Sequence, residues 1–288
     1  MKALSFAISL FFAFYVLNPA VIGQEKAEKF DKEKLKSYKT KEFCGGESWS
    51  NGEKVSVKDL RESTVAATGN LNVDGGRNGG VSVKGENRSD VLVRACVQAW
   101  GSTDAEAKAL ASSIRIETGG VIKADSPSDN NWGVSFEILV PRNTSLNIRA
   151  FNGGISIKSV DGNIEFATTN GGVNLADLSG TVKGRTTNGG VNVSLTGNTW
   201  RGSGMDVVTT NGGVNMTVPA GYAATFETGT TNGGFKSDVA ELDIQQEDNQ
   251  KNGWHRSKRV VASMNGGGAP IKVTTTNGGV RIGSATNE

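Results

Sequence analysis

The sequence predicts an all-β chain: a β-solenoid of stacked parallel coils, with an N-terminal β-rich capping module that contains one short helix. Three observations predict it. Asn-Gly-Gly followed by a large apolar residue returns at Asn152, Asn170, Asn188, Asn211, Asn232 and Asn277, with gaps of 18, 18, 23 and 21 residues over the first five copies. A fixed period of about 20 residues marks a repeat architecture. Apolar and polar residues alternate on both sides of each triplet, as in Ile164 and Phe166 before Asn170 and Val173 and Leu175 after it. That is the period of half-buried strands. Finally, one residue type holds one column: Thr168, Thr186, Thr209, Thr230 and Thr275 each stand two before the Asn.

The triplet is expected to turn the chain. Gly accepts positive φ without steric cost, and Asn does so better than other residues with a Cβ. Asn-Gly between strands also signals an antiparallel hairpin, so a hairpin-built sandwich or prism stays open beside the solenoid. Recurrence of one residue type in one column favours stacking. Each coil would bury about four apolar side chains at about 1.5–3 kcal/mol for each full burial, and no coil can bury that face alone.

Residues 1–23 read as a secretory signal: Lys2, an apolar run from Leu4 to Leu17, then small residues around Val21-Ile22-Gly23. The run is short for a membrane span, although an uncleaved anchor is the alternative. The mature protein is expected in the periplasm, at the cell surface or outside the cell. Residues 24–60 form a charged lead segment, rich in Lys and Glu as far as Glu42, and read as a solvated linker. The chain nets only +2 and shows no basic stripe interleaved with aromatics, so nothing points to nucleic acid.

Cys44 and Cys96 are the only cysteines. In an exported chain an even count predicts a disulfide, with two buried free thiols as the alternative. Residues 61–145 form the capping module, with strands around Leu71–Val73, Val81–Val83, Val91–Val93, Ile114–Ile116 and Phe136–Val140. Thr103-Asp104-Ala105-Glu106 fits a capping box that opens a helix to about Ser112. The solenoid spans 146–283, broken by a polar excursion over 241–259 that holds the only histidine, His255, and leaves a tail at 284–288.

Few residues offer chemistry. Five before each Asn stands an outward column of Asn147, Glu165, Lys183, Asp206, Glu227 and Lys272. If coils stack in register, Asp206 and Glu227 lie one strand spacing apart, about 4.8 Å, close enough to share a proton, hold a cation or act as an acid/base pair. The plainer reading is a solvated ladder offset by the lysines. Outward Thr169, Thr187, Thr210, Thr231 and Thr276, and the column of Asn174 and Asn192, are flat arrays that suit an ordered surface such as a glycan or ice, and are equally ordinary strand-surface chemistry. His255 has no recognisable Ser, Cys or Asp partner. No catalytic set, metal cluster, phosphate-cradling loop or cofactor site is expected.

The Thr-Thr-Asn-Gly-Gly-Val runs, Val218-Pro219-Ala220-Gly221-Tyr222, and the closing Thr275-Thr276-Asn277-Gly278-Gly279-Val280-Arg281-Ile282 resemble a bacterial β-strand-repeat family of unknown function labelled "putative adhesin". The stretch with Val73-Asp74-Gly75-Gly76 and Val81-Ser82-Val83-Lys84-Gly85 is similar to its N-terminal half. The resemblance covers roughly Arg61 to Gly283. It implies a stacked β-strand fold in exported or envelope-associated proteins and brings no catalytic residues; the segment from Glu241 to Lys258 departs from the pattern.

The resulting expectation is an exported, non-enzymatic structural or adhesive surface in the cell envelope. Its partner would be an envelope or extracellular polysaccharide or another envelope protein. Alternatives are a carbohydrate-active solenoid enzyme using Asp206 and Glu227, or a scaffold that stacks end to end.

Overall fold

The computed structural model describes residues 43–45, 54–242 and 258–285. The chain divides into residues 1–46 and residues 47–288, and the strands all belong to the second unit. The expected signal, the charged stretch to Glu42, His255 and most of the polar excursion lie outside the described residues. Cys44 and Cys96 are both disulfide-bonded, and the chain has no third cysteine.

The second unit opens with β1 (Val55–Ala66), β2 (Asn70–Asp74), β3 (Val81–Glu86), β4 (Asp90–Gly101), α1 (Asp104–Ser113), β5 (Arg115–Glu117), β6 (Val121–Asp125) and β7 (Trp132–Pro141). There follow β8 (Ser145–Ala150), β9 (Ile155–Lys158), β10 (Asp161–Asn170), β11 (Val173–Ala176), β12 (Ser179–Asn188) and β13 (Val191–Ser194). The chain closes with β14 (Gly204–Asn211), β15 (Val214–Val218), β16 (Ala224–Asn232), β17 (Phe235–Ser237), β18 (Lys258–Met264), β19 (Pro270–Asn277) and β20 (Val280–Ser284). The fold is all-β and solenoid-like. Each coil sends one strand to each of two sheets, and the sheets enclose one apolar core.

The first sheet has the order β1-β4-β7-β3-β9-β11-β13-β15-β20-β17, and the second β18-β16-β19-β14-β12-β10-β8-β2-β6-β5. Coils pair in parallel with equivalent residues opposite each other: Ile164 faces Val182, Glu165 faces Lys183 and Asn170 faces Asn188. The 23-residue gap leaves this register intact, because Asn188 still faces Asn211. Its extra residues are taken up between β13 and β14. There Trp200 turns onto the core, 5% exposed, and its Nε1 donates to the Gly180 carbonyl at 3.0 Å.

Coil order departs from chain order at both ends. The expectation of sequential stacking fails at the C-terminal end, where β19 and β20 insert between β14/β15 and β16/β17. β18 then covers the outer edge of β16 in antiparallel. At the N-terminal end, β2 and β3 insert between β6/β7 and β8/β9. Part of the expected capping module is therefore itself a coil of the stack. A repeat period fixes what a coil looks like, and it carries no information about which coil lies next to which.

The triplets are corners, and the expected reason for their glycines is corrected. None of the six triplets has a residue in the left-handed region. Close approach explains the first glycine instead: a Cβ on Gly171 would lie 2.1 Å from the Gly153 carbonyl oxygen, and one on Gly189 2.0 Å from that of Gly171. The same oxygens accept hydroxyls from the buried threonine column, Thr168 to Gly153 and Thr186 to Gly171, both at 2.8 Å. A left-handed Asn-Gly-Gly does occur at Asn265 (φ 47°), in the turn from β18 to β19.

The asparagines of the corners form a one-way ladder. Asn152 donates its side-chain amide to Asn78 at 3.1 Å, Asn170 to Asn152, Asn188 to Asn170 and Asn211 to Asn188, the last three at 2.8 Å. Asn277 then donates to Asn211, and Asn232 to Asn277, each at 2.8 Å. Asn78 heads the ladder, although 74 residues separate it from Asn152.

α1 begins as its sequence dictates. Thr103 Oγ1 accepts from the Glu106 amide at 3.2 Å, and the Glu106 carboxylate reaches back to the Ser102 amide at 2.9 Å, a capping box displaced by one residue. Its last turn carries no basic residue of its own. Arg61 on β1 supplies the charge, donating to the carbonyls of Ala111 (2.7 Å) and Ile114, where a cation meets the negative end of the helix dipole.

Candidate functional site

The outward face of the second sheet carries three parallel rows, because alternate residues of each strand point away from the core. The row five before Asn reads, in spatial order, Asn147, Glu165, Lys183, Asp206, Lys272 and Glu227. From Glu165 onward its charges alternate in sign. Asp206 and Glu227 were expected to adjoin, and the inserted β19 places Lys272 between them. Its Nζ lies 3.9 Å from the Asp206 carboxylate and 3.7 Å from that of Glu227. Arg259 of β18 also reaches Glu227, at 2.7 Å. The acids are thus two strand spacings apart, about 10 Å, with a cation between them. This arrangement opposes proton sharing and holds each carboxylate as an ion-pair partner.

The row three before Asn was not singled out by sequence, and it carries the most distinctive chemistry. It reads Arg149, Ala167, Arg185, Val208, Thr274 and Gly229, in register. Arg149 and Arg185 are exposed, and no ion-pair partner is found for either among the described residues. Asp74 faces Arg149 in register, but its carboxylate accepts from the Gly76 amide at 2.9 Å. Tabulating position minus three beside minus five would have exposed this row.

The row one before Asn is the expected threonine row. Thr187 and Thr210 are exposed, Thr169 is half-buried, and Phe151 occupies the equivalent place one coil earlier. Phe151 is 49% exposed. Phe151 excepted, the members of the three rows from Asn147 to Thr210 line a shallow groove of about 850 Å³, with Ala167 between the two arginines. Asn174 and Asn192 stand apart from it, on the outward face of the first sheet. There they form a second ladder, Asn192 donating to Asn174 at 2.8 Å and Asn215 to Asn192 at 3.0 Å.

Titration behaviour points to structure. Burial alone would raise the Asp177 carboxyl. Hydroxyls of Ser159 and Thr196, both at 2.8 Å, and the Arg142 guanidinium outweigh it and hold the group below the usual carboxylate range. Burial pushes the Tyr222 hydroxyl up to about 12, against a smaller opposing effect of Arg201. Among the described residues no group of three or more His, Cys, Asp or Glu is placed to hold a metal ion, and no helix is long and apolar enough to cross a membrane.

Residues 143–283 match the family model described as Toastrack DUF4097. Over that segment, just under half of the chain, the protein is similar to this family of unknown function. The matched segment begins just before β8 and ends within β20; it stacks directly on the coil β2/β3, which in turn stacks on β6/β7, both outside the match.

Two solved structures are similar to the chain. One is described as a "putative cell adhesion protein" from Clostridium sporogenes ATCC 15579, at 13% identity and a TM-score of 0.38, covering 79% of this chain and 100% of that one. The other is a "putative adhesin" from Bacteroides fragilis NCTC 9343, at 11% identity and a TM-score of 0.31, covering 80% and 97%. No curated protein matches.

Proposed function

We propose that this chain is an exported, non-enzymatic protein of the bacterial envelope that presents its second sheet as an adhesive or structural surface. The observation that carries this reading is the register. Equivalent positions recur at one strand spacing across successive coils, and in the threonine row and the asparagine ladders a partner of regular shape meets the same side chain again at each step. Many weak contacts then add up as linked ones do. The family label supports the reading. The alternative of a carbohydrate-active enzyme rested on Asp206 and Glu227 as neighbours, and Lys272 between them removes that footing.

In this reading the Asn-Gly-Gly corners hold the stack in register. β1, β4, β5 and α1 cap one end and β18 the other, as end coils of a solenoid require. Their role is to stop end-to-end growth, so the mature chain stays one size as its concentration rises.

Cosedimentation of residues 24–288 with insoluble envelope and plant polysaccharides, with the supernatant assayed for released fragments, tests the proposal. Binding without fragments is the expected result. Fragments would overturn the non-enzymatic reading, and absence of binding to every envelope fraction would overturn the adhesive one.

A further inference from the structure

We propose that the groove on the second sheet is a binding site for a carboxylate-bearing polysaccharide, with Arg149 and Arg185 as its carboxylate contacts and Phe151 as a platform for a sugar ring. This rests on the adhesive reading and names the ligand class. Charge pairing separates the rows. In the row of Asp206, Lys272 and Glu227 the acids and the lysine satisfy one another, and Arg259 adds to Glu227. In the neighbouring row Arg149 and Arg185 make no ion pair among the described residues and both are exposed; Asp74 faces Arg149 in register, with one carboxylate oxygen accepting from the Gly76 amide.

The two arginines stand one coil either side of Ala167, two strand spacings or about 10 Å apart. Both project from paired strands of a sheet, so the spacing of their backbone positions is fixed before any ligand arrives. A guanidinium fork matches the two oxygens of a planar carboxylate. Between the forks Ala167 has the smallest side chain of the three and leaves room for the apolar face of a sugar ring. Phe151, 49% exposed, stands two residues after Arg149 in sequence, just outside the residues that line the groove. Exposed aromatic area next to cations and hydroxyls suits a ligand with apolar ring faces and anionic substituents. Glu165 and the Thr187 hydroxyl at the rims can meet the sugar hydroxyls.

The test measures binding of soluble polygalacturonate by calorimetry to the full mature chain, with dextran and dextran sulfate as comparison polymers. The expected result is binding to polygalacturonate that weakens with salt and falls about tenfold for Arg149→Gln or Arg185→Gln and more for the pair. Phe151→Ala is expected to lower it several-fold. Arg281→Gln, on the outward face of the first sheet, is expected to leave it unchanged, and circular dichroism checks that each variant is folded. Unchanged affinity in the folded double arginine variant overturns the site. Equal affinity for dextran sulfate overturns the carboxylate assignment. Envelope binding without polygalacturonate binding overturns this inference alone, whereas loss of both overturns the adhesive reading as well.

Discussion

Asn277 donates its side-chain amide to Asn211 at 2.8 Å, across 66 residues of sequence. The bond places the last Asn-Gly-Gly of the chain inside the stack, between two coils that precede it in sequence. The order of the outward rows, and with it the separation of Asp206 from Glu227, follows from that insertion.

The C-terminal strands are therefore internal to the structure. A chain ending after Met264 lacks Ile271, Val273, Val280 and Ile282, all at most 2% exposed. At about 1.5–3 kcal/mol for each full burial, their loss amounts to about 6–12 kcal/mol, as large as the stability of a typical domain. The truncated chain is expected to lose its cooperative thermal transition by circular dichroism. A melting temperature within a few degrees of the full chain would contradict the insertion.

The strands of the repeats, the apolar columns and the capped helix were legible in the sequence because each is encoded locally, by period and by the Thr103–Glu106 spacing; β1, which begins at Val55 inside the stretch read as a linker, and β6 were not. The insertions were not, because Asn170, Asn211 and Asn277 sit in equivalent environments and nothing in a repeat says which copy adjoins which. Asn78 escaped for a related reason: β4 through β7 separate it from the coil it touches. The candidate acids were found and their neighbour was not. Arg149 and Arg185 were passed over because their column contains Ala167 and Val208, and so shows no single residue type.

Steric contact at the corners predicts unequal tolerance within one triplet. Gly171→Ala sets a Cβ 2.1 Å from a backbone oxygen, whereas Gly172→Ala meets its nearest heavy atom at 3.6 Å. The first is expected to cost about 2–3 kcal/mol as an overpacked site that backbone must yield to, and the second less than about 1 kcal/mol. Urea denaturation of both variants measures the difference. Equal costs would return the explanation to conformational freedom.

The asparagine ladder predicts a sensitivity to one isosteric change. Asn188→Asp keeps the acceptor for Asn211 but removes the donor to Asn170, leaving two oxygens facing each other. A loss of about 1–2 kcal/mol is expected at pH 7, with part of it recovered near pH 3, where the carboxyl regains a proton to donate. Denaturant midpoints at the two values check it.

Asp177 predicts the acid limb. Its folded-state pKa lies below the usual value, so its contribution is complete above the unfolded pKa of about 3.9 and is lost as pH falls through the folded one. Asp177→Asn is expected to be less stable than the parent at pH 7, with the gap closing as the pH drops toward 2. A gap that stays constant with pH would show that the carboxylate charge adds nothing.

The central claim, that an inserted coil separates the two acids and fixes the order of the outward rows, is tested most directly by paired cysteines. Asp206→Cys with Lys272→Cys places two outward residues on adjacent strands, about 4.8 Å apart, within the Cα range of a disulfide. Asp206→Cys with Glu227→Cys places them about 10 Å apart, beyond that range. After mild oxidation and peptide mapping, the first pair is expected to cross-link within one chain and the second to stay reduced. Cross-linking of 206 to 227 in place of 206 to 272 would contradict the account, since it would stack the coils in chain order and bring the two carboxylates together.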